Sequence, residues 1–255
     1  MKERKIKRIL IIIAVISVLI CVAVFFCRGI IRDNRALDYT PVYGDNGEKL
    51  VYEKEVDPYA DEETYVADVT GGTWSKVLIN INKANNSYTG TTVSFRGCEV
   101  DDRIAGALQA MLNAAKADGV DLVLDSAVVS FEEQDAAHAE AKAALIQAGK
   151  TEADADNPLY NTSDQAKYSE HCAGLAVDIV SADHKTKDEA FAQTEAYTWL
   201  TTNAKNYGFV LRYPENGTNR THVGYRPWHY RFVGQELATY LTDNNLTMEA
   251  FFGAK

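Results

Sequence analysis

The chain has 255 residues, of which 46% are hydrophobic and 24% charged, and its formal net charge is −10. This is the composition of an ordinary globular protein with about one domain beyond a membrane segment and a linker. Residues 1–35 carry eight basic and two acidic side chains, so the remaining chain has a net charge of −16. Because phosphate binding needs a basic surface, the acidic body argues against a nucleic-acid partner.

The N-terminus predicts a membrane anchor. Residues 1–8 form a basic head, and residues 9–27 are an apolar run without a charge. This length suits a bilayer crossing of about 20 residues. The run exceeds a typical signal-peptide core and no small-x-small cleavage site follows it, so a signal-anchor is favoured over a cleaved signal peptide. The basic head would stay inside, which predicts a single-pass cell-membrane protein with an extracytoplasmic C-terminal domain.

Residues 28–72 are predicted to form an extracytoplasmic stalk, and residues 73–255 a folded domain. The stalk contains prolines, glycines and an acidic patch but little sustained periodicity. Such a composition is typical of a linker, and the glycine pair at 71–72 is the predicted boundary.

The folded domain is predicted to mix helices with short strands. Apolar residues spaced three and four apart predict helices, whereas short runs rich in Val, Leu and Ile predict strands. The predicted elements are a strand at 77–82, a helix from about 104 to 119, a strand at 120–129, a helix at 131–148, a polar loop at 151–167, a strand at 175–180, a helix at 188–207, a hairpin of 209–213 with 221–225, a strand at 229–233 and a helix at 235–241. Without a regular βαβ rhythm, this order predicts the α+β class.

His171, Asp178 and His229 are the candidate metal ligands. Gly174 allows a tight bend that brings His171 and Asp178 together, and a strand near the end of the chain supplies His229. Two imidazoles and a carboxylate can hold Zn²⁺ and leave a fourth position open for water, whose pKa falls to about 7. On spacing alone, a surface histidine and a turn aspartate are the favoured alternative.

Several ordered motifs carry more information than this spacing. Residues 169–178 read Ser-Glu-His-Cys-Ala-Gly-Leu-Ala-Val-Asp, and residues 227–234 read Pro-Trp-His-Tyr-Arg-Phe-Val-Gly. Together with residues 77–83, 130–134 and 208–214, they make the stretch 75–242 resemble the VanY-type D-alanyl-D-alanine carboxypeptidases, which are LAS zinc peptidases. The resemblance implies a small antiparallel sheet with flanking helices and zinc ligation by the two histidines and the aspartate. It also implies D-Ala-terminated peptidoglycan stem peptides as the substrate.

Three further residues are candidate substrate contacts, namely Ser169, Arg212 and Trp228. Two of them have an alternative, because Arg212 can pair with a buried acid and Trp228 can belong to the core. Cys98 and Cys172 are predicted as two free thiols, with a disulfide as the other reading.

Two departures from the family pattern concern catalysis. The family's general-base glutamate corresponds to Arg226, which cannot take a proton, and a family arginine that contacts the substrate corresponds to Val129. Loss of a positioned base typically slows a reaction about 10²- to 10⁴-fold. Beside zinc, Arg226 could instead bind a substrate carboxylate. Glu170 and Glu215 are the candidates for a replacement base.

The sequence therefore supports two main functions. One is a membrane-anchored zinc carboxypeptidase that trims stem peptides in the cell wall. The other is a catalytically inactive relative that binds peptidoglycan peptides or a protein partner. A purely structural zinc domain is a weaker third reading.

Overall fold

The computed structural model describes residues 40–43, 49–53 and 62–253. The predicted membrane segment at 9–27 and much of the predicted stalk lie outside these residues. Among the described residues, no helix has the length and apolarity needed to cross a membrane. The chain divides into two compact units, Met1–Asp61 and Glu62–Lys255. In the first unit, strands β1 (Thr40–Tyr43) and β2 (Lys49–Glu53) pair antiparallel.

The second unit combines two antiparallel sheets with helices. Its strands are β3 (Thr92–Phe95), β4 (Cys98–Asp101), β5 (Leu122–Ser126), β6 (Ala176–Ser181), β7 (Phe209–Leu211) and β8 (His229–Phe232). Its α-helices are α1 (Asp102–Ala117), α2 (Phe131–Gln147), α3 (Glu152–Asp156), α4 (Glu195–Asn203), α5 (Thr218–Thr221), α6 (Gln235–Asp243) and α7 (Met248–Phe252). Strands β3 and β4 form a hairpin, and the larger sheet has the order β5-β6-β8-β7. The predicted α+β class with a small antiparallel sheet is therefore confirmed.

Helix α1 forms one side of the main core. Asp101 caps its N-terminus by accepting a hydrogen bond from the backbone N–H of Arg103. Its apolar side chains spaced three and four apart, Ile104, Leu108 and Met111, are almost completely buried and share one cluster with apolar residues of β5, β6 and β8. Truncating such a residue typically costs about 2–5 kcal/mol. The apolar stripe of α1 thus holds the face of the sheet that lies opposite the site described below.

The predicted strand at residues 77–82 is wrong. The segment forms only an isolated bridge between Asn80 and Lys83. Its carbonyl groups bind side chains instead of a neighbouring strand: Val77 O accepts from Arg231 Nη2 at 2.7 Å, and Ile79 O accepts from Arg212 Nη2 at 3.3 Å. Two buried arginines therefore satisfy the backbone that the apolar pattern assigned to a sheet.

The predicted hairpin of residues 209–213 and 221–225 is also wrong. Strand β7 pairs with β8, while residues 215–221 form a 3₁₀ turn followed by α5.

The single helix predicted at 188–207 is divided, because Thr194 accepts a hydrogen bond from Tyr197 N and starts a new helix, α4. The predicted loop at 151–167 contains α3, which Thr151 caps. Hairpin β3–β4 and helix α7 were not predicted.

Residues 62–72 pack against the folded domain. Tyr65 N donates to Gln109 Oε1 at 2.9 Å, and Gln235 N donates to Val69 O at 2.7 Å. A Cβ atom at Gly106 would lie 2.0 Å from Val66 O, so α1 needs glycine where this segment crosses it. The compact unit begins at Glu62, and the glycine pair at 71–72 lies inside it.

Candidate metal centre

Neighbouring strands and one tight turn bring the three candidate ligands together. Asp178 on β6 lies directly opposite His229 on β8, so their side chains share one face of the sheet. His171 lies in the 3₁₀ turn His171–Ala173, which ends at Gly174 with φ +69°. A Cβ atom at Gly174 would lie 2.5 Å from the ring of Tyr88. The tight bend expected at this glycine is therefore present, and a side chain there would be obstructed.

The three ligand groups converge on one point. His171 Nε2 lies 3.2 Å from Asp178 Oδ1, and His229 Nδ1 lies 2.8 Å from the same oxygen. All three ligand atoms lie within 4.8 Å of one another, and all three residues are buried. Tetrahedral zinc with bonds of about 2.0–2.1 Å separates its ligand atoms by about 3.3 Å. The donor atoms are thus already close to the spacing that such an ion requires.

Neighbouring groups fix the orientation of both imidazoles. His171 Nδ1 lies 2.7 Å from Ala127 O, and because a carbonyl can only accept, Nδ1 donates there and Nε2 is the ring atom that would bind a metal. The Nδ1 atom of His229 faces Asp178, while its buried Nε2 lies 3.6 Å from Glu170 Oε2. Tyr213 stacks on the His229 ring at 5.1 Å. This arrangement is typical of supported metal ligands.

The second carboxylate oxygen of Asp178 is also occupied. Oδ2 accepts from Ser126 Oγ at 3.2 Å and from Lys187 Nζ at 3.0 Å. Burial by itself would raise the pKa of Asp178, but the charge and hydrogen bond of His171 and the hydrogen bond of His229 outweigh burial and hold this pKa well below its usual value. The carboxylate is therefore ionised at neutral pH and supplies the negative charge that a cation needs.

Arg226 does not point a free guanidinium at this centre. Its Nη1 and Nη2 each donate to a different oxygen of Asp164 at 2.8 Å, and Nη2 also donates to Asn161 O at 3.2 Å. The side chain of Arg226 is only 4% exposed. The structure therefore does not support binding of a substrate carboxylate by Arg226, because the carboxylate of Asp164 already binds both terminal nitrogens of its guanidinium.

The three predicted substrate contacts lie in the interior. Ser169 is 1% exposed and donates to Gln134 Oε1 at 3.3 Å. The side chain of Arg212 is completely buried between Glu170 and Glu249, which is the ion-pair alternative. Trp228 belongs to the main apolar core. The role of these three residues as substrate contacts stays a prediction.

Neither candidate replacement base is placed for that role. Glu170 Oε1 accepts from Arg212 Nε at 2.8 Å and from Arg231 Nη1 at 2.6 Å, and its other oxygen faces the side of His229 that points away from the ligand cluster. Glu215 lies on an exposed turn and lines a cavity beside β7. Among the described residues, Glu170 thus contacts a ligand only at His229 Nε2, on the side of that ring away from Asp178.

Cys98 and Cys172 are free thiols, as predicted. Cys172 is completely buried, and burial raises the pKa of its thiol to about 11. Its Sγ lies 3.8 Å from Ser130 O, which the thiol contacts as a weak donor.

The family model of VanY, described as D-alanyl-D-alanine carboxypeptidase, matches residues 97–235. This match contains all three candidate ligands and covers more than half of the chain. The chain belongs to the VanY D-alanyl-D-alanine carboxypeptidase family.

Individual members of the family agree with this assignment. A D-alanyl-D-alanine carboxypeptidase of Enterococcus faecalis (strain ATCC 700802 / V583) is 34% identical over 186 residues, which are 71% of this chain and 67% of that protein. The solved structure of VanYB in complex with D-alanine-D-alanine is 34% identical, with a TM-score of 0.62, and covers 71% of this chain and 99% of that one.

A second solved structure, a vancomycin-resistance D,D-pentapeptidase VanY variant in complex with Zn(II), is 32% identical, has a TM-score of 0.60 and covers 70% of this chain and 99% of that chain. The chain spans about half to two thirds of the length of the curated relatives it matches.

Two polar side chains near the centre were not predicted as part of the site. Asp164 lies in the polar stretch 151–167, where no motif distinguishes it from its acidic neighbours. Lys187 follows β6 in a loop of mixed charges. Only their contacts with Arg226 and Asp178 show their roles, and no spacing in the sequence could have provided that signal.

Proposed function

We propose that this chain is a zinc-dependent, D-Ala-D-Ala carboxypeptidase-like protein that acts on D-Ala-terminated peptidoglycan stem peptides. The observation that carries the proposal is the convergence of His171, Asp178 and His229 within 4.8 Å inside a VanY fold. Two similar solved structures hold D-alanine-D-alanine and Zn(II), respectively. His171 Nε2, Asp178 Oδ1 and His229 Nδ1 would hold the ion, which supplies Lewis-acid activation of water and of a peptide carbonyl when bound.

The other residues of the centre keep these ligands in place. Ala127 O holds the proton of His171 on Nδ1, and Ser126 holds the outer oxygen of Asp178. Such supporting contacts typically change metal affinity or activity about 10- to 100-fold when they are removed. Preorganised ligands reduce the reorganisation that metal binding requires. The proposed metal binding is therefore supported by ligands that neighbouring groups already hold in position.

This chain has the metal ligands but lacks the general base for hydrolysis. Arg226 is always protonated and is bound to Asp164, so it can neither accept a proton nor turn toward a substrate without breaking a buried ion pair. Without a positioned base, we expect a rate about 10²- to 10⁴-fold below that of a complete site.

The same ion pair favours a second candidate function, in which the protein binds stem peptides without cleaving them. A catalytically inactive relative would retain the metal ligands and the fold but need no base. A protein partner at the same site is a variant of this candidate.

Peptide cleavage by matched variants tests the proposal. The zinc-loaded wild type is incubated with a D-Ala-D-Ala-ended stem peptide, and D-Ala release and zinc content are measured together. The complementing variant combines Arg226→Glu with Val129→Arg and with Asp164→Asn, because a glutamate facing Asp164 would otherwise repel it. The control is Asp164→Asn alone.

The outcomes separate the two candidates. Slow D-Ala release by the wild type that rises at least about 10²-fold in the complementing variant supports a weakened carboxypeptidase. Zinc and peptide binding without release by the wild type supports the binding protein. A wild-type domain that binds no zinc would overturn the metal assignment and with it both candidates.

We also propose the location in which this chemistry takes place. The apolar run at 9–27 and the basic head at 1–8 support a single-pass anchor in the cell membrane, with residues 62–253 outside. Fractionation of cells followed by protease treatment of intact protoplasts tests this. Retention in the membrane fraction with a protease-accessible domain is expected, and a protected domain would reverse the orientation.

A further inference from the structure

Lys187 is a cation at the edge of the metal centre that the family motifs do not single out. Its Nζ lies 3.0 Å from Asp178 Oδ2 and 2.8 Å from Asp125 Oδ2. Asp125 is the extra residue of a β-bulge, because Leu124 pairs with Ile179 and Ser126 with Asp178. Bulges near active sites redirect side chains, and this one lies beside the strand that carries the ligand.

The exposure of Lys187 distinguishes it from the neighbouring arginines. The side chains of Arg212 and Arg231 are 0% exposed and that of Arg226 is 4% exposed. The side chain of Lys187 is 38% exposed. Each of these arginines, like Lys187, has a carboxylate partner inside the fold, so exposure is the difference.

The ammonium of Lys187 has a donor that its two carboxylate partners do not use. An ammonium has three donors, and the two carboxylates account for two of them. One donor remains on a group that is in contact with both solvent and a metal ligand.

We propose that Lys187 binds the terminal carboxylate of the stem peptide. This inference rests on the proposed function, since it requires a peptide whose free C-terminus approaches the metal centre. A carboxylate entering such a partly buried site needs a cationic donor to replace its lost hydration. Val129 supplies none, and Arg226 is bound to Asp164. Lys187 is then a specificity residue that selects a free carboxylate over an uncharged end.

Binding of two otherwise identical peptides tests this role. Each ends in D-Ala-D-Ala, one as the free acid and the other as the C-terminal amide. Affinities for the zinc-loaded protein are measured by calorimetry, and chromatography checks for release of product. The wild type is expected to bind the acid about 10- to 100-fold more tightly, the usual range for a hydrogen bond to a charged group.

Four variants complete the experiment. Lys187→Met should bring the acid-to-amide ratio near one, whereas Lys187→Arg should keep it within about threefold of the wild type. Lys142→Met removes another lysine that bridges two carboxylates, Glu152 and Asp156, and should leave the ratio unchanged. Asp125→Asn removes a competing carboxylate from Lys187 and should increase the ratio. Metal analysis of every variant shows that zinc is retained.

An acid-to-amide ratio that persists in Lys187→Met overturns the proposal. If that variant fails to fold or to hold zinc, Asp125→Asn decides, and a ratio that does not increase overturns the proposal. Equal binding of the two peptides by the wild type refutes the role of Lys187 alone. Binding of neither peptide by the zinc-loaded wild type overturns the proposed function as well, so the two failures are distinguishable.

Discussion

Two buried polar clusters lie side by side on one face of the larger sheet, and they differ in how their charged groups are arranged. His229 and Arg231 are two positions apart on β8, so both side chains point to the same face. Arg231 belongs to an ionic cluster with Arg212, Glu170 and Glu249, whose two positive and two negative charges are matched by contacts of 2.6–2.9 Å. His229 belongs to the ligand cluster.

The ligand cluster is arranged differently. Three ligand atoms from its two imidazoles and one carboxylate converge on one point. Where the clusters meet, His229 Nε2 and Glu170 Oε2 lie 3.6 Å apart, and both are buried without a hydrogen-bond partner. Buried polar groups are normally satisfied. The ionic cluster thus balances its charges within the fold, whereas the ligand cluster directs three donor atoms at one point, and the two clusters meet at Glu170.

The largest expected effect is that of breaking the ionic cluster. Glu170→Gln would remove the carboxylate between Arg212 and Arg231 and leave buried positive charge without compensation. We expect a loss of about 3–5 kcal/mol in the free energy of unfolding, measured by urea denaturation. Lys205→Met, which removes a partly exposed pair with Asp243, is the control and should cost less than about 1 kcal/mol. Equal losses in both variants would contradict the distinction between the clusters.

Metal addition and removal should act on the ligand cluster alone. Zinc at about 100 times its Kd should stabilise the folded domain by about 2.7 kcal/mol, seen as a rise in Tm that a chelator reverses. His171→Ala should abolish both the shift and the zinc content. His138→Ala, which removes a buried histidine bound to Ser163 O, should keep the shift. A zinc-dependent shift that survives in His171→Ala would show that the ion binds elsewhere.

The ion pair of Arg226 provides an intermediate case. Asp164→Asn keeps the shape of the side chain but removes the charge that faces the guanidinium. Hydrogen bonds to charged groups are worth about 1.5–3 kcal/mol, and we expect a loss of unfolding free energy in that range. If Asp164→Asn is as stable as the wild type, Arg226 is free to move, and its exclusion from the site no longer holds.

The smallest effect concerns thiol reactivity beside the ligand cluster. Cys172 is completely buried and has a pKa of about 11, whereas Cys98 is half-buried. Because the thiolate is the reactive form, iodoacetamide should modify Cys98 before Cys172 in the native protein. The rate should increase as the pH rises from 7 to 9. In urea both thiols should react at similar rates. Mass spectrometry of the native protein measures the order, and modification of Cys172 before Cys98 would contradict it.

The sequence by itself determined the elements and ligands that depend on short-range patterns. The three- and four-residue spacing of apolar residues predicted α1, and Ser130 with Glu133 forms the capping box that begins α2 near the predicted start. The motif around Gly174 predicted a tight bend beside His171, and the ordered motifs predicted the family. Each helix, turn and motif depends on residues within a few positions of one another, and the family followed from the order of several such motifs along residues 75–242.

The tertiary structure alone decided which charged groups meet. Arg226 and Asp164 are 62 positions apart, and no local pattern specifies that they pair. The choice of β8 as the partner of β7 and the burial of Arg212 depend in the same way on groups that only the folded chain brings together. Ion pairs and strand pairing are long-range interactions whose energies depend on burial. The sequence could therefore show that a base was missing, but only the fold shows that its replacement is held by Asp164 and that Lys187 lies beside the metal ligands.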